Sequence, residues 1–260
     1  MLIDIGANLT HESFADDLDD VISRAHQARV ESLIITGASL NSSIDALQLA
    51  ANHDNVFSTV GIHPHHAAEC SSEVLQELRS LATHTNVVAI GETGLDYFRN
   101  FCPREEQCSA FEAQLQLAME LKLPLFLHER DAYADFAPIL NSHRDQLSQV
   151  VVHCFTGDRT ALQTYLDMDC YIGITGWICD ERRGSHLHDL IELIPADRLL
   201  LETDAPYLIP RTLKPKPKSR RCEPAHLAEI GSVVARLLNT SFDQLANQTT
   251  LNAKACFNLP

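Results

Sequence analysis

The stretch that decides the fold is Val87-Val88-Ala89-Ile90-Gly91-Glu92-Thr93-Gly94-Leu95-Asp96-Tyr97. It opens with four apolar residues, which predict a buried strand over Val87–Ile90, and continues into glycines and carboxylates, which mark a polar strand end. The same pattern recurs along the chain at Leu2–Ile5, Ser32–Thr36, Val56–Val60, Leu125–Leu127, Gln149–His153, Tyr171–Ile174 and Leu199–Glu202. Amphipathic segments with helical periodicity separate these runs.

Eight strand–helix repeats in 260 residues predict one domain, residues 1–260, folded as a (β/α)8 TIM barrel. The alternative is a doubly wound open sheet, which would normally carry a glycine-rich phosphate loop after its first strand. Gly6-Ala7-Asn8 is not such a loop. In a barrel the active site lies at the carboxyl ends of the strands, so the residues at those ends are the candidates for function.

The composition is that of a globular enzyme, with 45% hydrophobic and 21% charged residues. No apolar run is long enough to span a bilayer, and the N-terminus lacks a signal-peptide pattern, so we expect a cytoplasmic protein with no membrane partner. Nothing in the sequence argues for an oligomer, and we expect a monomer. The eight cysteines form no Cys-x-x-Cys pair and are expected to be reduced thiols.

The net charge of −15 argues mildly against nucleic acid as a partner, because phosphate binders gain affinity from a basic surface. One segment is an exception. Residues 211–221 contain six cations and no acid, and they end in Arg220 and Arg221. Two interpretations remain open: the segment is a solvated loop, or its arginines bind substrate phosphate.

Ligand-type side chains follow several of the predicted strands. Glu92, His128 and His153 follow strands four, five and six, which are neighbours in a barrel, and Asp204 follows strand eight across the mouth. A single histidine after a strand is more often structural than a ligand. Two imidazoles and a carboxylate converging from adjacent strands are instead typical of a catalytic metal site with positions open for water. The sequence therefore predicts a metal-dependent hydrolase.

Several of these blocks resemble the TatD family of metal-dependent deoxyribonucleases, and the resemblance covers nearly the whole chain in order. The blocks are Gly61-Ile-His-Pro-His65, Gly91-Glu-Thr-Gly-Leu-Asp-Tyr97, Val152-His-Cys-Phe-Thr-Gly157, Ile174-Thr-Gly-Trp-Ile-Cys-Asp-Glu-Arg-Arg183, Glu202-Thr-Asp-Ala-Pro-Tyr-Leu208 and Arg220-Arg-Cys-Glu-Pro-Ala-His226. The resemblance implies a TIM barrel and a nuclease with single-stranded DNA or RNA as substrate. It also implies 3′–5′ exonuclease polarity and a role in DNA repair.

The resemblance also implies two divalent ions at the barrel mouth. By motif, Glu92 matches the bridging carboxylate, and His128 and His153 match the ligands of one ion. Asp204 matches a ligand of the other ion, or the base that orients the attacking water. Most family members carry a His-x-His pair after strand one, where this chain has Gly6 and Asn8. We therefore expect one firm metal site and a second that is weak or depends on substrate.

The oxygen ligands of a second site favour Mg²⁺, with Mn²⁺ or Zn²⁺ as alternatives. For catalysis we expect Glu92 to hold the metal and Asp204 to accept the proton of the attacking water. His63 is interpreted either as a contact to the substrate phosphate or a donor to the leaving group, or as an ordinary loop histidine beside Pro64. His65 and His66 are expected to face solvent.

Two further residues are candidates for substrate binding. Arg130 is expected either to bind a phosphate or to pair with Glu129 or Asp131. Trp177 is expected on an irregular loop, where it would stack on a base or else pack into the core.

Two rival functions stay open at this point. The first is a hydrolase of another class on the same metal scaffold, such as a D-aminoacyl-tRNA deacylase. Sites for amide hydrolysis more usually carry a metal-bridging lysine after strand four, and here that position is Glu92. The second is a non-catalytic nucleic-acid or protein-binding module, which the departures at Gly6 and Asn8 make conceivable.

Overall fold

A computed structural model describes all residues, 1–260, and its centre is a barrel of eight parallel strands. The strands are β1 Leu2–Ala7, β2 Val30–Ile35, β3 Val56–Val60, β4 Val87–Asp96, β5 Leu125–Arg130, β6 Val150–Val152, β7 Tyr171–Ile174 and β8 Leu199–Leu201. Each strand pairs with the next in chain order. The barrel closes between the end of β1 and the residues after β8, where the backbone N–H of Asn8 donates to the Ala205 carbonyl at 2.7 Å. The predicted TIM barrel is confirmed.

The helices lie between the strands. They are α1 Leu18–Gln27, α2 Leu40–Asn52, α3 Ser72–Leu81, α4 Arg104–Leu121, α5 Tyr133–His143, α6 Arg159–Asp167, α7 Leu187–Leu190, α8 Leu227–Leu237 and α9 Phe242–Phe257. Short 3-10 turns cover Glu12–Phe14, Pro64–Glu69, Arg144–Gln146, Gly176–Cys179, Ile191–Leu193 and Pro224–His226. None of the nine helices combines the length and the apolar character that crossing a membrane requires.

The barrel interior forms its own apolar cluster, and helix α9 is part of it. Ile5, Phe126 and Leu200 are fully buried in this cluster together with Phe257 of α9. The Asn252 side chain of α9 donates to the Leu199 carbonyl, at the amino-terminal end of β8, at 2.8 Å. Because α9 covers the amino-terminal end of the strands, the opposite, carboxyl-terminal end is the one left open for function.

Strand β4 continues six residues beyond its predicted end at Ile90. Gly91 has φ of 140°, which disfavours side chains, and a Cβ there would overlap the Phe126 carbonyl oxygen of β5. The close approach of the two strands therefore depends on glycine at this position. As a result Glu92 lies within a buried strand rather than after its end, and the strand fixes its position.

Candidate metal-dependent active site

Glu92 is the centre of the candidate site. Its Oε1 atom lies 2.8 Å from Nε2 of His153, 2.9 Å from Nδ1 of His128 and 3.4 Å from Nε2 of His63. The side chain is nearly buried, with 8% of its surface exposed. Three imidazoles thus surround one carboxylate oxygen at the open end of the barrel.

These four side chains meet because four consecutive strands carry them. His63 follows β3, Glu92 and His128 lie within β4 and β5, and His153 follows β6. The carboxyl ends of neighbouring parallel strands share one edge, so their side chains converge. The structure thus brings together the predicted Glu92, His128 and His153. It adds His63, whose donor atom lies within 4.8 Å of those of Glu92 and His128.

The two central histidines are each backed by a buried carboxylate. His128 faces Glu92 with Nδ1, and its Nε2 lies 3.4 Å from Oδ2 of Asp96. His153 faces Glu92 with Nε2, and its Nδ1 lies 3.2 Å from Oε2 of Glu202. A carboxylate behind a metal-ligating imidazole fixes its tautomer and orientation. Neither Asp96 nor Glu202 was predicted as part of the site.

Glu202 also explains why Gly6 is a glycine. A Cβ built at Gly6 would lie 2.5 Å from Glu202 Oε2, and one at Gly173 would overlap Oε1 of the same carboxylate. Oε1 accepts the Cys154 backbone N–H at 2.5 Å, so the carboxylate is held on both sides. The space beside position 6 is therefore filled by a carboxylate from β8. The sequence signal was available, since Glu202 opens the Glu202-Thr203-Asp204 block, but only the fold brings it next to Gly6.

The charges in the site are mutually stabilised. Burial raises the pKa of Glu92, but the charges and hydrogen bonds of His63, His153 and His128 outweigh it and bring that pKa well below its usual value. Burial lowers the pKa of His153, yet the Glu92 and Glu202 carboxylates bring it well above its usual value. Glu92 is therefore an ionised carboxylate, as a cation ligand must be.

Asp204 faces the same cleft from the end of β8. Its backbone N–H donates to the Gly6 carbonyl at 2.8 Å, and its Oδ1 accepts from the Asn8 amide at 3.0 Å. Burial raises the pKa of Asp204 to about 7, with a smaller upward contribution from the Glu92 charge. Asn8, which the sequence offered as a weak oxygen ligand, is a hydrogen-bond donor to Asp204 in this arrangement.

The cleft above these residues has a volume of about 680 Å³, and Arg130 and Trp177 line it as expected. Arg130 forms no ion pair with Glu129 or Asp131, so that interpretation was wrong. Its guanidinium lies 4.0 Å from the ring centroid of Phe98 instead. Trp177 belongs to the 3-10 turn Gly176–Cys179 rather than to an irregular loop.

His65 does not face solvent as the sequence suggested. Its Nε2 lies 2.8 Å from Oδ2 of Asp96, and its side chain is 26% exposed. His66 is the more exposed of the two and pairs with Glu69 at 2.8 Å. The reason for the error is that Pro64 starts a 3-10 turn, which bends the chain and turns His65 back toward β4.

Arg220 and Arg221 do not line the cleft. Arg221 forms ion pairs at 2.8 Å with Asp17 and with Glu223, and its side chain is 18% exposed. Arg220 is exposed and unpaired. At the other end of the basic segment, Arg211 pairs with Glu181 at 2.7 Å. Acidic side chains of this chain thus already neutralise the two terminal arginines, 211 and 221, and the structure gives no support to Arg221 as a phosphate ligand.

Comparison with known proteins gives a consistent result. The family model described as TatD related DNase matches residues 3–258. A protein of Erwinia amylovora named 3′–5′ ssDNA/RNA exonuclease TatD is 53% identical over 259 residues, covering 99% of this chain and 100% of that protein. A protein of the same name from Citrobacter koseri is 48% identical over 258 residues, covering 99% of each. The crystal structure of a TatD homologue from Escherichia coli K12 aligns with a TM-score of 0.91 at 28% identity, covering 100% of this chain and 98% of that one.

Proposed function

We propose, on the premise that this chain belongs to the TatD related DNase family, that it is a metal-dependent nuclease which removes nucleotides from the 3′ end of single-stranded DNA and RNA. The observation that carries the proposal is the cluster of three imidazoles around Glu92 Oε1, at distances of 2.8 to 3.4 Å. The polarity and the preference for single strands come from the names of relatives about 50% identical to this chain.

The donor set fits a divalent ion. It offers imidazole nitrogens and an ionised carboxylate, and donor atoms of His63, Glu92 and His128 all lie within 4.8 Å of one another. We assign Glu92, His128 and His153 as the principal ligands, with His63 beside them and Asp204 across the cleft. A divalent ion bound there lowers the pKa of water and neutralises charge on the phosphate. Mg²⁺ is our expected ion, with Mn²⁺ or Zn²⁺ as alternatives.

The protein side chains supply the rest of the chemistry. Asp204 accepts the proton of the attacking water, a role that suits a carboxylate with a pKa of about 7. Arg130 donates to the non-bridging oxygens of the phosphate, because it lines the cleft and has no competing ion pair. Asp96 and Glu202 keep His128 and His153 in a fixed orientation.

The test of this function is a nuclease assay with end-labelled single-stranded oligonucleotides. Wild type with Mg²⁺ should release mononucleotides from the 3′ end, and EDTA should abolish the release. Glu92→Gln should lower the rate at least ~100-fold, because the substitution removes a charge from the centre of the site. The control is Glu192→Gln, an exposed carboxylate outside the cleft, which should leave the rate unchanged. Release of free amino acid from charged tRNA, without nucleotide release, would favour the deacylase alternative.

The number of metal ions is a separate prediction. Calorimetric titration with Mn²⁺ in the absence of nucleic acid should give one tight site, because Gly6 has no ligand side chain and Asn8 donates its N–H to Asp204. We propose that a second ion binds with the substrate phosphate. Two equally tight sites in the free protein would contradict this model.

Three finer expectations also belong to this proposal. We infer that the enzyme acts as a monomer, that it works in the cytoplasm and that it takes part in DNA repair. Light scattering of the purified chain tests the first and cell fractionation the second. Survival of a deletion strain after DNA damage, with a Glu92→Gln gene as the control for complementation, tests the third.

A further inference from the structure

Exposed aromatic rings are concentrated at one place on this protein. The chain has sixteen aromatic residues, and only Phe98, Phe101 and Tyr207 are exposed, by 55%, 67% and 52%. Phe101 and Tyr207 line the cleft of the candidate site, and Phe98 contacts Arg130, which also lines it. Exposing a phenylalanine costs hydrophobic free energy, so a group confined to the mouth of a polar cleft indicates a binding surface.

Phe101 is connected to the metal-ligand cluster by a short series of rings. Its ring centroid lies 4.6 Å from that of His65, which lies 4.3 Å from that of His63. His63 in turn lies 3.4 Å from Glu92. His65 is held by its contact with the buried Asp96, and the Phe101 ring packs on His65. The rest of the Phe101 ring is exposed to solvent. The exposed Phe101 ring is therefore a flat apolar surface close to the Glu92 cluster.

The opposite wall carries a second aromatic ring. Phe101 follows β4 and Tyr207 follows β8, and these two strands are on opposite sides of an eight-stranded ring. Arg99, two residues before Phe101, and Arg130, at the end of β5, also line the cleft, and neither forms an ion pair with a carboxylate. Aromatic faces beside unpaired arginines match an unpaired base attached to a phosphate, since bases stack on the rings and the cations bind the backbone.

We propose that Phe101 is a stacking platform for an unpaired nucleobase of the strand being cut, while Arg130 binds that strand's phosphate. In a duplex the internal bases present no free face to such a ring, so this contact selects single strands. The inference rests on the proposed nuclease function and adds a base-binding residue to it.

The experiment measures binding separately from cleavage. A fluorescent single-stranded oligonucleotide is titrated into the Glu92→Gln protein, with and without Phe101→Ala, and the dissociation constant is read from anisotropy. A matched set of oligonucleotides carries an abasic residue at each of the last three 3′ positions in turn. Phe101→Ala should weaken binding of the full oligonucleotide about tenfold. The substitution should have no effect on the one abasic substrate that lacks the stacked base.

Two controls accompany the titration. Phe101→Tyr should restore binding, because tyrosine keeps the ring. Leu251→Ala, an exposed apolar side chain on α9 at the closed end of the barrel, should have no effect. Equal loss on all substrates, or no loss with Phe101→Ala, would overturn the proposal. A wild-type protein that binds but never cuts would instead contradict the nuclease function and leave the stacking result standing.

Discussion

Glu202 illustrates how a single buried carboxylate determines its neighbours. It is fully buried, faces Nδ1 of His153 with one oxygen and accepts the Cys154 N–H with the other. Its position requires the absence of a side chain at Gly6 and at Gly173. The glycine that lacks a ligand side chain on β1 is thus the same glycine that makes room for the support of His153.

Substitution of Gly6 by alanine tests this packing. The new Cβ would lie 2.5 Å from Glu202 Oε2 and 2.9 Å from Phe126, so we expect a loss of unfolding free energy of about 1–3 kcal/mol. Urea denaturation measures it. Gly231→Ala in helix α8 is the comparison: its nearest neighbour would be the Phe242 ring at 3.1 Å, a milder contact, and alanine favours a helix, so its loss of stability should be smaller. Gly6→Ala with wild-type stability would contradict the packing argument.

Glu202→Gln tests the support of His153. Both oxygens of Glu202 are needed as acceptors, and a glutamine offers only one, so either His153 or the Cys154 N–H loses its partner. We expect Mn²⁺ affinity, measured by calorimetry, to fall about 10- to 100-fold with the fold preserved. Glu192→Gln, which is exposed, serves as the control and should bind Mn²⁺ as wild type does. An unchanged affinity would remove Glu202 from the site.

At the scale of elements, the basic segment 211–221 is attached at both ends. Arg211 pairs with Glu181 in the β7–α7 connection, and Arg221 joins Asp17 to Glu223. Arg24 of α1 contacts the same two acids, so four charged groups connect α1 to the start of the last helical region. The sequence of this segment suggested a nucleic-acid-binding surface, but the arginines at its two ends form ion pairs within the protein.

Arg221→Gln should lower the melting temperature by a few degrees at pH 7, and the difference from wild type should shrink in acid. The hydrogen bond from Arg221 lowers the pKa of Asp17. Burial raises the pKa of Glu223, but hydrogen bonds from Arg24 and Arg221 outweigh it and lower that pKa. A pKa that is lower in the folded state gives stability that is present above about pH 4 and lost as the pH falls further.

Calorimetry at pH 7, 5 and 3 measures this change. The control is Arg220→Gln, because Arg220 is exposed and makes no ion pair, and its melting temperature should match wild type at each pH. A difference between Arg221→Gln and wild type that is constant from pH 7 to pH 3 would show that packing, rather than the carboxylates, accounts for the loss.

For the whole molecule, the distribution of charge matters more than its sum. The chain has a net charge of −15, yet the cleft contains Arg99 and Arg130 without ion-pair partners. An acidic surface repels nucleic acid at long range, so binding depends on these few local cations. The negative total is therefore compatible with a nuclease that holds a strand by two phosphates and by stacking, rather than by a broad basic surface.

The salt dependence of binding follows from this count. Two phosphate contacts give a slope of log binding constant against log salt of about −1.4 for a single strand. Arg130→Gln should reduce the slope to about −0.7 in a titration from low to moderate NaCl. Arg79→Gln, on helix α3 and paired with Glu120, should leave it unchanged. A wild-type slope several times steeper would mean that other cations, such as those of the segment 211–221, also contact the strand.

The sequence by itself determined the barrel and the core of the site. The apolar runs located all eight strands, and the ligand-type residues at the ends of adjacent strands identified Glu92, His128 and His153. Both signals can be recognised in short stretches of sequence because each strand repeats the same pattern. Only the tertiary structure decided the rest. It placed Asp96 beside His128 and Glu202 beside His153. It also paired Arg221 with Asp17 and Glu223. These contacts join residues far apart in the chain, and the packing of the closed barrel alone fixes such distances.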